Sequence, residues 1–111
     1  MPTTTYKILG QVAPATGTAN NVYTVPASTQ AVVSTINVCN PDATQRSTRI
    51  AVIKSGESLA AKHYIAYDVP IALNDSLSIT IGITMGANDS ISVYTNGSSN
   101  VAYSVFGSET T

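Results

Sequence analysis

The residues of this chain that could perform nucleophilic or metal chemistry are few. There is one histidine, His63, and one cysteine, Cys39. A Cys–His nucleophile pair needs a third group that orients the histidine, and no such residue is evident in the sequence. A zinc site needs several His, Cys or carboxylate ligands, which these two residues cannot supply. We therefore expect no catalytic residue, no metal and no cofactor, and we predict that Cys39 is a small buried apolar side chain.

The acidic side chains allow two further kinds of site. Asp75 and Asp89 lie in matching segments, Asn74-Asp75-Ser76 and Asn88-Asp89-Ser90. Calcium bound by these carboxylates is one interpretation, and capping of each turn by its own aspartate is the preferred one. A glycosidase would need two carboxylates at a set separation in a cleft, with aromatic platforms that this chain largely lacks. The other acids are Asp42, Asp68, Glu57 and Glu109.

The aromatic side chains are six tyrosines and one phenylalanine, and tryptophan is absent. Tyr64 and Tyr94 could share one face with Tyr23 or Tyr103 and stack on a sugar or a base. The preferred interpretation is that these rings form edges of the core and keep their hydroxyls at the surface.

The composition is unusually poor in charge. Charged residues make up 10% of the chain, hydrophobic residues 43%, and the formal net charge is −1. A typical soluble domain has roughly 25% charged residues, so uncharged Ser, Thr and Asn must cover this surface. Such a surface loses few ion hydration shells when a partner covers it, which suits a protein that assembles. An ordinary Thr-rich β domain of extracellular style is the alternative interpretation of the same composition. Without a basic face, nucleic acid is not an expected partner.

The length of the chain limits the number of domains that it can form. The 111 residues fit one domain, 1–111, which can bury a core without a disulfide or a structural metal. Met1–Thr5 lacks the basic and apolar segments of a signal peptide, and no apolar run approaches the roughly 18 residues of a membrane helix. We therefore expect synthesis in a cytoplasm and no membrane partner.

Alternating segments separated by turn residues predict an all-β, single-domain antiparallel β-sandwich, jelly-roll or Greek-key like, with about eight short strands. The predicted strands are 6–13, 22–25, 31–39, 48–54, 62–69, 77–84, 91–94 and 101–106. The helical candidate, 57–62, is long enough for one turn, and Asn96-Gly97 favours a hairpin turn. The alternation predicts a core of Ile36, Val38, Ile50, Val52, Leu77, Ile79, Ile81, Ile83, Ile91 and Val93.

Five segments in order carry a resemblance to a known family. They are Thr5–Pro14 (TYKILGQVAP), Val22–Ala27 (VYTVPA), Ala31–Asn40 (AVVSTINVCN), Lys62–Pro70 (KHYIAYDVP) and Val105–Glu109 (VFGSE). They resemble small virion structural proteins of tailed phages, especially of cyanophages, over nearly the whole chain. The resemblance implies a phage particle component, in first place a capsid cement or decoration protein, and it carries over no catalytic residue.

The implied role is to clamp neighbouring major capsid subunits at the capsid surface of the virion, after synthesis in the host cytoplasm. The alternative is a tail, baseplate or fibre module that attaches to a partner protein or binds a host surface glycan. The expected partner is the major capsid protein or another virion protein, and a homo-oligomer is expected, a trimer in preference to a dimer. Residues 1–5 and 108–111 are predicted to be flexible arms that could add a strand to a neighbour's sheet.

Overall fold

The computed structural model describes residues 2–96 and 100–111, so the predicted turn at Asn96-Gly97 lies partly outside the described residues. One short 3-10 turn, Ala61–His63, is the only helical element in the described ranges. The remaining regular structure consists of nine strands: β1 Thr4–Val12, β2 Asn20–Thr24, β3 Gln30–Asn40, β4 Arg46–Ile53, β5 Tyr64–Ile71, β6 Asp75–Ile79, β7 Ile83–Met85, β8 Ser90–Thr95 and β9 Ala102–Thr110.

The strands form a jelly roll. One sheet has the order β1-β9-β3-β6, with β7 also paired to β3, and the other has the order β2-β8-β4-β5. With β6 and β7 taken as one interrupted strand, the chain is a long antiparallel hairpin in which β1 pairs with β9, β2 with β8, β3 with β6 and β7, and β4 with β5. Pairing of β9 with β3 and of β8 with β4 rolls this hairpin into two sheets. The predicted all-β sandwich is therefore confirmed.

The core lies between the two sheets and follows the alternation of each strand. Five of the predicted core residues are at most 1% exposed: Ile36, Val38, Ile50, Ile91 and Val93. Four others pack against this core while remaining partly exposed: Val52, Leu77, Ile79 and Ile83. The largest fully buried side chain is Tyr103, which the pattern did not place in the core.

The predicted continuous strand 77–84 is wrong at its centre. β6 ends at Ile79 and β7 begins at Ile83, and Ile81 between them is 50% exposed. Ile36 of β3 pairs with Ile79 and Val33 with Ile83, so residues 80–82 span the distance that only residues 34 and 35 span on β3. The additional residue cannot fit the pleat, and Ile81 is displaced from the core.

A β-bulge between Val33 and Thr35 of β3 changes which residues face the core. Before the bulge the odd-numbered residues are buried, and after it the even-numbered residues, such as Ile36 and Asn40, are buried. A shift of one residue reverses the two faces of a strand. Cys39 is therefore exposed, and its predicted burial is wrong.

The chain ends that were predicted to be flexible arms are paired with each other in the described residues. Thr4 pairs with Thr110 and Thr5 with Glu109, and Thr3 and Thr111 exchange two backbone hydrogen bonds of 3.1 Å. The jelly roll brings the two ends of the hairpin side by side, which is why both ends extend the five-stranded sheet.

The two Asn-Asp-Ser segments form equivalent turns that lead into β6 and β8. Asn74 has a φ of +53° and Asn88 a φ of +68°, a left-handed conformation that asparagine adopts more readily than most residues. In each turn the backbone N–H of the following aspartate donates to the carbonyl oxygen three residues before it, at 3.2 Å. The repeated sequence therefore marks a repeated turn.

Candidate functional site: a tyrosine–arginine cluster

The structure does not bring His63 and Cys39 together. Cys39 is exposed on the five-stranded sheet, whereas His63 ends the 3-10 turn that precedes β5 and is 7% exposed. The Nδ1 atom of His63 accepts a hydrogen bond from the N–H of Ala60, and its Nε2 atom lies 2.9 Å from Oε1 of Glu57. Hydrogen bonds from His63 and then from Lys62 hold the pKa of Glu57 below its ordinary value. His63 thus fixes the loop before β5.

The carboxylates of Asp75 and Asp89 accept hydrogen bonds from backbone amides. Asp75 accepts from the N–H of Ser76, and Asp89 accepts from those of Ser55 and Gly86, each at 2.8 Å. These bonds match the turn-capping interpretation. Within residues 2–96 and 100–111, no three His, Cys, Asp or Glu side chains are grouped so that they could hold a metal ion.

A different set of side chains does converge, on the outer face of the four-stranded sheet. The guanidinium carbon of Arg49 in β4 lies 4.2 Å from the ring centroid of Tyr67 in β5 and 4.4 Å from that of Tyr94 in β8. Tyr64 extends the row, with its ring 4.9 Å from the Tyr67 ring and at 85° to it. Together with Asp68, these four residues are called the tyrosine–arginine cluster below.

A β-bulge in β5 makes this cluster possible. Arg49 alone opposes both Tyr67 and Asp68 in the β4–β5 ladder, whereas in a regular strand these two neighbours would point to opposite faces. Asp68 has a φ of +52°. Tyr67 is 56% exposed and the Asp68 side chain 48%. The bulge therefore presents an aromatic ring and a carboxylate side by side.

The ion pair within the cluster is bidentate. Nε of Arg49 donates to Oδ1 of Asp68 at 2.6 Å and Nη2 donates to Oδ2 at 3.3 Å. The carboxylate raises the pKa of Arg49 above its ordinary value. Because a guanidinium has five N–H donors, this pairing leaves donors of Arg49 for another molecule, and 25% of its side chain is exposed.

Two of the four tyrosines considered from the sequence belong to the cluster, and two belong to the core. Tyr103 is fully buried; its hydroxyl bonds to the hydroxyl of Thr48 and donates to the carbonyl oxygen of Tyr94 at 2.8 Å. Burial raises the pKa of Tyr103. Tyr23 is 7% exposed and donates to Glu109.

Sequence reasoning missed Arg49 and Tyr67. Arg49 could have been found, because it alternates with the buried residues Thr48 and Ile50 and must face outward. Tyr67 could not be assigned to the same face as Asp68, because no pattern in the sequence predicts the β-bulge in β5.

The five-stranded sheet carries a second exposed surface. Tyr6 is 85% exposed, Ile8 55% and Val32 44%, and Phe106 lies beside them in the ladder. With Ser34 and Ser108 these side chains line a shallow groove. Tyr6, Ile8, Val32 and Phe106 are called the outer apolar patch below.

The strand order defines this chain as a jelly-roll β-sandwich. Among solved structures it is similar to a chain in the structure of infectious bursal disease virus, Gx strain, with a TM-score of 0.55 and 10% sequence identity. The match covers 99% of this chain and 32% of that chain, so this chain spans about a third of the neighbour's length. At this identity the similarity shows a shared fold.

No protein-family model matches the chain, and no curated protein matches it. Across the described residues, no helix is both long and apolar enough to cross a membrane.

Proposed function

We propose that this protein is a non-enzymatic virion structural protein, and in first place a capsid cement or decoration protein. The observation that carries the proposal is a jelly roll that spans 99% of the chain and is shared with a chain in the structure of a virus. The sequence resemblance to small virion structural proteins of tailed phages supports the same role. In this role the protein clamps neighbouring major capsid subunits at the capsid surface.

The outer apolar patch is the proposed attachment surface. Tyr6, Ile8 and Val32 expose apolar area that a partner would remove from water. Lys7, which also lines the groove, is already paired with Glu109 at 2.7 Å, so no unpaired charge would have to be buried there. Contacts of this kind respond weakly to salt.

An oligomer suits this attachment, with a trimer preferred to a dimer. Linked copies of one patch bind a repeated surface more tightly than a single copy does, without any new contact. β1 and β2 are edge strands of the two sheets, and pairing with a neighbouring copy would cover the backbone groups that pairing within each sheet leaves over.

The test is attachment of the purified protein to particles that lack it, measured by co-sedimentation and by counting copies per particle with quantitative mass spectrometry. Ile8→Glu should abolish attachment, because it places a charge in the patch. Leu73→Glu is the matched control, since Leu73 is 54% exposed, as Ile8 is 55%, and lies in the turn between β5 and β6, outside the outer apolar patch. Full attachment of the Ile8→Glu protein would refute the assigned surface.

The second candidate function is a tail, baseplate or fibre module that attaches to a partner protein or binds a host surface glycan. The tyrosine–arginine cluster favours it, because Tyr and Arg dominate the energetic centres of binding surfaces. Copy number separates the two candidates, because a capsid decoration protein repeats over the whole shell whereas a baseplate or fibre module is present in far fewer copies.

A further inference from the structure

We infer that the tyrosine–arginine cluster is a binding site for a neutral sugar residue of a polysaccharide. This inference goes beyond the proposed capsid role and does not depend on it, although it gives the second candidate function a defined ligand class. It places the site on the four-stranded sheet, whereas the outer apolar patch lies on the five-stranded sheet.

The aromatic part of the site is Tyr67. Its side chain is 56% exposed while its position is fixed by contact with Arg49 and with the ring of Tyr64. A pyranose ring has an apolar face of C–H groups, which packs on an aromatic ring and removes apolar area from water. Arg49 covers one face of the Tyr67 ring, so the platform for one sugar residue is the face directed away from Arg49.

The polar part of the site is the ion pair beside that platform. Sugar hydroxyls both donate and accept hydrogen bonds, and they need acceptors and donors within reach of the stacked ring. The carboxylate of Asp68 accepts, and the bulge places it next to Tyr67. The guanidinium of Arg49 lies over one face of the Tyr67 ring and holds this carboxylate in place.

The charge balance of the cluster selects an uncharged ligand. Because Arg49 and Asp68 neutralise each other, the cluster offers no net attraction to the carboxylate of an acidic sugar or the ammonium group of an amino sugar, while binding either group would remove its charge from water. A nucleobase could also stack on Tyr67, but its phosphates need several cations, and the only cation of the cluster is already paired. Neutral sugars meet neither penalty.

The site is also organised before any ligand arrives. The guanidinium is held by two rings and by a bidentate ion pair, and the backbone of Asp68 is fixed by the bulge. Groups that are already ordered lose little conformational entropy on binding, so a shallow site can still bind a small ligand.

The experiment is saturation-transfer NMR on the full chain with the neutral methyl glycosides of glucose, galactose, mannose, fucose and N-acetylglucosamine. Glucuronic and sialic acid serve as charged probes. Transfer to ring protons of at least one neutral glycoside is expected, with little transfer to the acids.

Tyr67→Ala should weaken binding about tenfold or more, and Tyr67→Phe should retain it, because stacking needs the ring. Tyr6→Ala, on the other sheet, is the matched control and should bind as the parent protein does.

Asp68→Asn probes the polar part, because asparagine keeps the left-handed backbone while removing the charge. It should weaken binding and should lessen the discrimination against the acidic probes.

No transfer to any neutral glycoside, or equal transfer in the Tyr67→Ala protein, would overturn the inference. Loss of particle attachment in the Tyr67→Ala protein would instead assign the cluster to protein contact. Particle attachment of the Ile8→Glu protein tests the proposed attachment surface, and saturation transfer to neutral glycosides tests the sugar site. The two proposals can therefore fail independently.

Discussion

The hydroxyl of Tyr23 in β2 donates a hydrogen bond of 2.5 Å to Oε2 of Glu109 in β9. The two residues belong to different sheets, so this bond joins the layers of the sandwich near the paired chain ends. Nζ of Lys7 lies 2.7 Å from the other oxygen of the same carboxylate. Tyr23 is 7% exposed, which shields the bond from water.

Tyr23→Phe should therefore destabilise the domain. A hydrogen bond to a charged group contributes about 1.5–3 kcal/mol to the free energy of unfolding, and phenylalanine keeps the ring while removing the donor. Urea unfolding at neutral pH measures the change. Tyr6→Phe is the control, because Tyr6 is 85% exposed and should change the free energy by less than about 0.5 kcal/mol. Equal midpoints for the two variants would contradict the expectation.

The Glu109 carboxylate should also make stability depend on pH. Hydrogen bonds from Lys7 and then from Tyr23 lower the pKa of Glu109 in the folded protein. Because the pKa of Glu109 is lower in the folded protein, the carboxylate stabilises the fold at pH values above its unfolded pKa of about 4.3. This stabilisation is lost as the pH falls through the folded pKa. The free energy of unfolding, measured between about pH 5 and pH 2, should show this loss. Glu109→Gln should make that free energy depend less steeply on pH. A slope unchanged in Glu109→Gln would assign the acid sensitivity to other carboxylates.

The fold was largely predictable because most strands alternate regularly. Ile91 and Val93 in β8 fit the period of two, and the structure buries both. The failures occur where that period breaks. Ile81 continues the alternation in sequence but lies opposite a shorter stretch of β3, and only the register between the strands reveals the extra residue.

The candidate site was predictable only in part, for the same reason. The outward position of Tyr94 follows from the burial of Val93 and Thr95 on either side of it. The adjacency of Tyr67 and Asp68 depends on a bulge in β5, whose existence is decided by pairing with β4. Local sequence patterns show which face a strand buries, but a bulge becomes visible only when the residues of the two paired strands are matched.

Gly107 of β9 lies in close contact with the backbone of β3. A Cβ atom at this position would lie 2.0 Å from the carbonyl oxygen of Val32, beside the bulge of β3. Gly107→Ala must push the two strands apart and should cost about 1–3 kcal/mol or more. Gly86→Ala is the matched control, since its Cβ would meet only the Asp89 carboxylate at 3.7 Å. Thermal unfolding of both variants measures the difference, and a small loss at Gly107 would show that the strands can shift freely there.

The left-handed backbone of Asp68 gives the last prediction, which tests the bulge itself. A residue with a Cβ and no helpful polar group loses about 1–2 kcal/mol in this conformation, whereas asparagine and glycine tolerate it. Asp68→Ala, Asp68→Asn and Asp68→Gly all remove the ion pair with Arg49, which is exposed and contributes about 0–1 kcal/mol. Urea unfolding should therefore place the alanine variant below the other two by about 1–2 kcal/mol. Equal stability of the alanine and asparagine variants would mean that the bulge relaxes, and Tyr67 would then lose its fixed place beside residue 68.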